Sequence, residues 1–327
     1  VYRKHSELII LSLVLVVAFL LMWVLSPAKF LQLGNFQSMA FQLPELGLLS
    51  AAMMITMLTG GINLSIIASA NLSGIVAAIV LTRFLTPDTM TSGAAGIIFL
   101  AICAGLATSL LIGLVNGLLI AVVDVSPILA TLGMMTLVNG LTIVFTKGYV
   151  IAGFPDFIRF IGNGLVLGIP MPMVIFIVAV AAISILINRT PQGFAMRMIG
   201  SNATASYFSG VNNRAVLIKT YVVSGLFTGI ASLIMISRFN SVATGYGSSY
   251  LLITILASVL GGTSTIGGFG RISGLVLALF ILQIISSGLN LLRVSAFLTT
   301  AIWGFTIILV MVINFYGRRF QERAANP

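Results

Sequence analysis

Long charge-free apolar runs dominate the chain, separated by short polar or glycine-rich breaks. Leu8–Leu25 and Ile97–Val123 are two such runs. Each is close to the roughly 20 apolar residues needed to cross a bilayer core. None alternates with period two, and lipid leaves backbone groups no partner, so helices rather than a closed barrel are predicted. Ten apolar segments follow, at about 8–25, 43–59, 63–85, 94–122, 127–146, 172–188, 214–237, 250–262, 271–292 and 296–316. The third starts just after Gly60-Gly61, and the eighth is only 13 residues long. The predicted fold class is all-α, a polytopic membrane protein of about ten transmembrane helices, some short or broken. It forms a single domain over 1–327, with no soluble domain. The first run lacks a small-residue cleavage site directly after it and is read as a retained span rather than a signal peptide.

Composition agrees. Of 327 residues 59% are hydrophobic and 7% charged, against about 25% charged in soluble domains. The net charge of +10 does not point to nucleic acid, because the 16 Lys and Arg residues punctuate the ends of apolar runs instead of clustering on one face. With ten spans and both termini cytoplasmic, ten basic residues lie inside: Arg3, Lys4, Arg189, Arg197, Arg214, Lys219, Arg271, Arg318, Arg319 and Arg323. Six lie outside: Lys29, Arg83, Lys147, Arg159, Arg238 and Arg293. Basic residues favour the cytoplasmic side in just this sense. The longest outer stretch is Lys147–Met171.

The chemistry available is sparse. A lone Cys103 in mid-span and a lone His5, read as solvated, make no disulfide framework, metal site or catalytic pair. Of six acids, Glu7 and Glu322 fall in terminal tails, and Asp88, Asp124 and Asp156 in or beside loops. Glu45 after Pro44 is read as a helix start, where a carboxylate complements the dipole. On this reading no acid is central to a span, which speaks against a proton- or sodium-coupled carrier. There is no G-x-x-x-x-G-K-[ST] loop, so if ATP drives the protein a separate subunit binds it, with its Mg.

Three breaks carry interest. The acid-free cytoplasmic segment Arg189–Arg214 reads RTPQGFAMRMIGSNATASYFSGVNNR. Thr190-Pro191 suits a helix start, Gly193 and Gly200 are expected to break the chain, and Ser201 or Asn202 can cap a short helix, Ala203–Phe208, stopped by Gly210. Tyr207 and Phe208 end it as an aromatic knob. Composition alone leaves a docking site and a solvated loop equally open. TGGINLS (59–65) and LGGTSTIGGFG (260–270) interrupt the membrane region. Their glycines are read as close-packing positions, and Asn63 and Ser65, with Thr263 and Ser264, as mildly polar groups along a translocation route. Asn71, Asn116, Thr131, Asn139, Gln283 and Asn290 are read as structural, and the pairs Asn116-Gly117 and Ser287-Gly288 as packing or inter-helix hydrogen-bond positions.

Together these stretches resemble the permease subunits of ribose-type ABC importers, which move monosaccharides and relatives such as nucleosides. TGGINLS is similar to that family's T-G-G-I-D-L-S-V-G, and PILATLG (127–133) to its P-x-[IF]-[IV]-A-T-L-G. VLGGTSTIGGFGRISG (259–274) is similar to V-[LI]-G-G-T-S-L-x-G-G-x-G-x-[IL]-x-G, the most specific of the set, and SGLNLLRVSAF (287–297) resembles the closing N-G-L-x-L-L-G-V. Gly193, Gly200, Asn202, Ala203 and Gly210 fall where the family has its ATPase-coupling loop, which spans 189–213 here, and the aromatic knob Tyr207 and Phe208 lies within it. The resemblance implies a bacterial inner-membrane protein with both termini cytoplasmic. It would partner ATP-binding-cassette ATPase subunits, a second permease copy or paralogue, and a periplasmic solute-binding protein. Departures are Asn63 for the family's Asp, Ile67 for a Gly, an acid-free Leu251–Ala257 where E-L-D-A-I-A-A is common, and Asn139 for an Arg. They bear on solute specificity rather than on fold or coupling, and a non-identical partner permease would tolerate them. The competing classes are a self-contained secondary carrier, which an intramembrane acid would signal, and a membrane scaffold that purifies without an ATPase.

Overall fold

The computed structural model describes residues 2–84 and 94–325. Asp88 lies outside the described residues, as do the side chains of His5, Glu7 and Glu322. The helices are α1 (Tyr2–Leu25), α2 (Pro27–Phe30), α3 (Leu33–Leu58), α4 (Ile66–Phe84), α5 (Ala94–Ala121), α6 (Pro127–Thr146), α7 (Asp156–Asn163), α8 (Met171–Arg189), α9 (Pro191–Ser201), α10 (Ala203–Phe208), α11 (Asn213–Phe239), α12 (Tyr250–Leu260), α13 (Ile272–Leu291) and α14 (Ala296–Ala325). Among the described residues eight helices are long and apolar enough to cross a membrane. α12 and the 297–310 stretch of α14 are shorter apolar helices, which together match the ten expected segments.

The centre of the bundle is α3. Every side chain from Leu43 to Leu58 is buried, as befits a helix apolar on all sides and enclosed by neighbours. At the periphery, α1 exposes most of its apolar side chains and packs through Met22 on Gly288 of α13. In lipid such exposure is expected, because the hydrocarbon is as apolar as the side chains. Small residues set the tightest contact. Gly113 and Gly117 of α5 lie on the backbone of Tyr221 and Ile218, while Gly225 and Gly229 of α11 lie on Ser109. Two G-x-x-x-G pairs thus face each other across an α5–α11 seam.

Several of the polar positions read as structural make hydrogen bonds between distant segments. Ser287 Oγ donates to Asn35 Oδ1 at 2.7 Å, Asn71 Nδ2 to the Tyr246 carbonyl at 3.1 Å, and Gln283 Nε2 to Gln42 Oε1 at 3.3 Å. Cys103 is an exposed free thiol on α5.

Two expectations need correction. The second span does not begin near Pro44: α3 starts at Leu33 and carries Pro44 in its interior. A membrane helix tolerates this because neighbours re-satisfy the freed backbone group. Glu45 is therefore a fully buried residue in mid-helix, not a capping acid. Nor do Gly193 and Gly200 break the chain, since both lie within α9.

Short ladders close the end of the bundle opposite α9 and α10. β1 (Ile151–Ala152) pairs antiparallel with β4 (Ser241–Val242), and β2 (Leu165–Val166) with β3 (Ile169–Pro170). Between them α7 seats Gly162 against the backbone of Ser237 and Arg238, and Ser237 Oγ donates to the Ile158 carbonyl.

Candidate functional site: the coupling platform, the glycine junction and a buried ion pair

Side-chain caps build the segment between α8 and α11 into a platform. Thr190 Oγ1 accepts from Gly193 N at 3.3 Å with Pro191 in the first turn, the standard opening of a helix. Asn202 then reverses the chain. Its φ of −162° is extended, and its Oδ1 accepts from Ala205 N at 2.9 Å to start α10. Of the two residues able to cap, Asn202 is the one used. Gly210, at φ +83°, supplies the left-handed turn that ends the unit. Asn212 caps α11 through Ala215 N at 3.1 Å. Asn213 ties α10 down, with Ser206 Oγ donating to its Oδ1 at 3.0 Å and its Nδ2 donating to the Ala203 carbonyl at 2.8 Å. Ala195, Met196 and Ile199 of α9 join the main core.

The segment is an ordered, capped unit, with every residue of α10 but Ser206 exposed. It holds Tyr207 and Phe208 outward, 68% and 82% exposed, with ring centroids 5.7 Å apart. On α9, Arg197 donates to Asn188 Oδ1 at 2.9 Å, and burial together with the Arg271 guanidinium lowers its affinity for its proton.

Both membrane breaks meet this platform. Gly200 of α9 lies directly on the Leu58 carbonyl and on Gly268 N, and Gly268 N donates to that carbonyl at 2.9 Å. A Cβ on Gly267 would stand 2.7 Å from Gly60 N and 2.8 Å from the Gly200 Cα. Gly267 has φ +102° and Gly60 +82°, so this junction requires glycine for conformation as well as space. A displacement of α9 therefore bears on the end of α3 and on the loop after α12 through backbone contact alone.

The residues expected along a route divide in placement. Asn63 and Ser65 are buried in a polar cluster that pins the first break to α5, α6 and α11. Asn116 Nδ2 donates to Ser65 Oγ at 2.9 Å, and Ser65 Oγ to Asn63 Oδ1 at 2.8 Å. Asn63 Nδ2 donates to Ser224 Oγ at 3.4 Å, and Thr131 Oγ1 to the Ile62 carbonyl at 3.0 Å. Asn63 both accepts and donates here and has no cation among its partners. A neutral amide thus fits this position. Thr263 is buried with its Oγ1 unpartnered, and Ser264, partly exposed, accepts from Ile266 N at 3.3 Å.

Sequence reasoning missed a third feature. Glu45 Oε1 accepts from Arg238 Nη2 at 2.9 Å and from the Tyr250 hydroxyl at 2.6 Å, joining α3, α11 and α12 near the end opposite the platform. The guanidinium also lies 4.7 Å over the Phe239 ring. An acid inside an apolar run, and a base near the outer end of another, were the available signal. Pro44, taken as a boundary, hid it. An intramembrane acid thus exists, contrary to the sequence reading, but it is neutralised by a fixed partner. Among the described residues there is no cluster of His, Cys, Asp and Glu that would hold a metal.

Comparison with known proteins places these features in a family. The chain is 34% identical to the ribose import permease protein RbsC of Bacillus subtilis over 293 residues, covering 89% of this chain and 87% of that protein. It is 32% identical to RbsC of Escherichia coli K12, over 89% of this chain and 88% of that one. It is also 26% identical to the D-allose transport system permease protein AlsC of E. coli K12, over 89% and 86%. No solved structure matches the chain. The family model described as "Branched-chain amino acid transport system / permease component" matches residues 35–313, and the chain therefore belongs to this family of multi-pass membrane permeases, on the ribose-type ABC importer side of it.

Proposed function

We propose that the chain is the inner-membrane translocation subunit of an ATP-driven importer for a monosaccharide or a related small polar solute. Two permeases, identical or paralogous, would form the pathway within the lipid, and a periplasmic binding protein would deliver solute to the end bearing the β ladders. ATP and Mg would be held by ATPase subunits docked on 189–213 through Gly200, Asn202, Ala203, Tyr207, Phe208 and Gly210. Both termini then lie on the platform side, the cytoplasm, where the basic residues concentrate. The carrying observation is the platform, an aromatic pair held outward by three side-chain caps and joined by glycine contacts to both membrane breaks. A nucleoside or other non-sugar importer is the alternative within the same class.

Reconstitution tests this directly. Purified permease alone is expected to hydrolyse no ATP. Vesicles that also contain the ATPase and the solute-loaded binding protein are expected to accumulate labelled D-ribose or D-allose only with ATP. Uptake driven by an ion gradient without ATP would establish the carrier reading instead.

The route itself is proposed to pass the inner end of α12, flanked by Asn63, Ser65, Thr263 and Ser264. Single cysteines there, in a Cys103→Ser background, are expected to show nucleotide-dependent reactivity with a small water-soluble thiol reagent. The largest change is expected at Thr263, whose hydroxyl has no protein partner and which would otherwise cost about 1–3 kcal/mol buried. Four positions inert in every nucleotide state would make them packing residues and leave the importer reading intact.

A further inference from the structure

Between α3, α7 and α11, at the end of the bundle opposite the platform, lies an open cavity of about 480 Å³. That volume is within the range of small-molecule sites, roughly 300–1,000 Å³. Its wall carries Gln37, Ser38 and Gln42 from α3, Asn163 from α7, and Arg238 and Phe239 from α11. Gln42 also borders a second, more enclosed cavity of about 50 Å³, lined by Tyr250 and Gln283 among others. The Gln283–Gln42 hydrogen bond therefore stands between the two spaces.

We propose that the larger cavity is a low-affinity outer solute site for a neutral polyhydroxylated ring. The amides of Gln37, Gln42 and Asn163 and the guanidinium of Arg238 would bind hydroxyls, and the Phe239 ring would form an apolar flank. This deepens the importer reading above and rests on it.

Charge selects the ligand class. Among the described residues Arg238 is the single charged one bordering the cavity, and its charge is already met by Glu45 behind it. An anionic solute finds no unmatched cation. A zwitterionic amino acid finds neither a free cation for its carboxylate nor an acid for its ammonium. A sugar needs neither. Amides and a fixed guanidinium supply both the acceptors and the donors that vicinal hydroxyls require. Asn163 is held in place by its Nδ2, which donates to the Ser237 carbonyl at 3.0 Å, leaving its Oδ1 to accept. Gln42 is held by donating to Ser38 Oγ at 2.9 Å. A weak site of this kind lets solute leave inward once the binding protein has released it.

The test uses the complete transporter in vesicles, with Gly34→Cys, at a cavity-lining position where an added side chain meets nothing, in a Cys103→Ser background and a membrane-impermeant thiol reagent outside. First, uptake of D-ribose and D-allose is measured. Then the sugar that is imported is added at high concentration without binding protein. It is expected to slow labelling, whereas L-leucine and D-ribose 5-phosphate at equal concentration are not. Adding Gln42→Ala is expected to raise the sugar concentration for half-protection about five- to tenfold, as loss of one hydrogen bond implies. Sugar import with no protection by that sugar would overturn the site and leave the importer standing. Protection by leucine, or by solute-free binding protein alone, would likewise overturn it. Import of neither sugar would count against the sugar reading itself, whatever the labelling shows.

Discussion

Replacing Tyr207 and Phe208 together with Asp is expected to abolish co-purification of the permease with its ATPase subunit in detergent. The rings are exposed on a helix whose cap, Asn202, and whose tie to Asn213 lie elsewhere, so the substitution leaves the platform's own bonds intact. Its cost to stability is therefore about 0.5 kcal/mol or less, as for surface changes away from such features. Its cost to docking is different in kind. An aromatic anchor in a protein interface contributes about 2–4 kcal/mol, and two of them account for a loss of a thousandfold or more in affinity. The new carboxylates would also enter an interface that excludes water. Leu167→Asp, at a fully exposed turn on the opposite end, is the matched control and is expected to leave co-purification unchanged. Undiminished association, with solute-stimulated ATP hydrolysis retained, would show that the ATPase docks elsewhere.

How far the fold could be read in advance depended on whether its determinants are local. The ten apolar segments and the helix Ala203–Phe208 with its Asn202 cap are set by runs and neighbours within a few residues, and they appear where expected. Pro44 misled because a proline opens helices in water but also sits inside them in membranes. The partnership of Glu45 with Tyr250 spans 205 positions, and no local pattern announces it. Gly200 was expected to break a helix; its role is to let α9 touch two breaks far off in sequence, which packing alone decides. Asn63 and Ser65 were legible as polar groups. Which way they face was not, since an amide bonded to Ser224 and one facing water have the same sequence neighbourhood.

The buried ion pair gives the last prediction, an unequal one. Arg238→Ala is expected to destabilise the protein by about 3–5 kcal/mol, because it strands a charge with no route to solvent. Glu45 is 0% exposed, whereas the Arg238 side chain is 16% exposed beside the outer cavity. Glu45→Gln is expected to cost far less. Its amide oxygen still accepts from Arg238 and from Tyr250, and the guanidinium can draw hydration from the cavity. The pair is tested by combining the two. In Arg238→Ala with Glu45→Gln the stranded charge is gone, and most of the loss should be recovered. The unrecovered part is the stacking of Arg238 on Phe239, about 0.5–1 kcal/mol for a partly exposed cation on a ring. Thermal unfolding in detergent, followed by tryptophan fluorescence, reads all four proteins of the cycle. A double variant no more stable than Arg238→Ala alone would mean that the arginine acts through packing and not through its charge on Glu45. Recovery would show that the main task of Arg238 is to neutralise the buried Glu45 carboxylate, the pair itself adding little net stability to the junction of α3, α11 and α12.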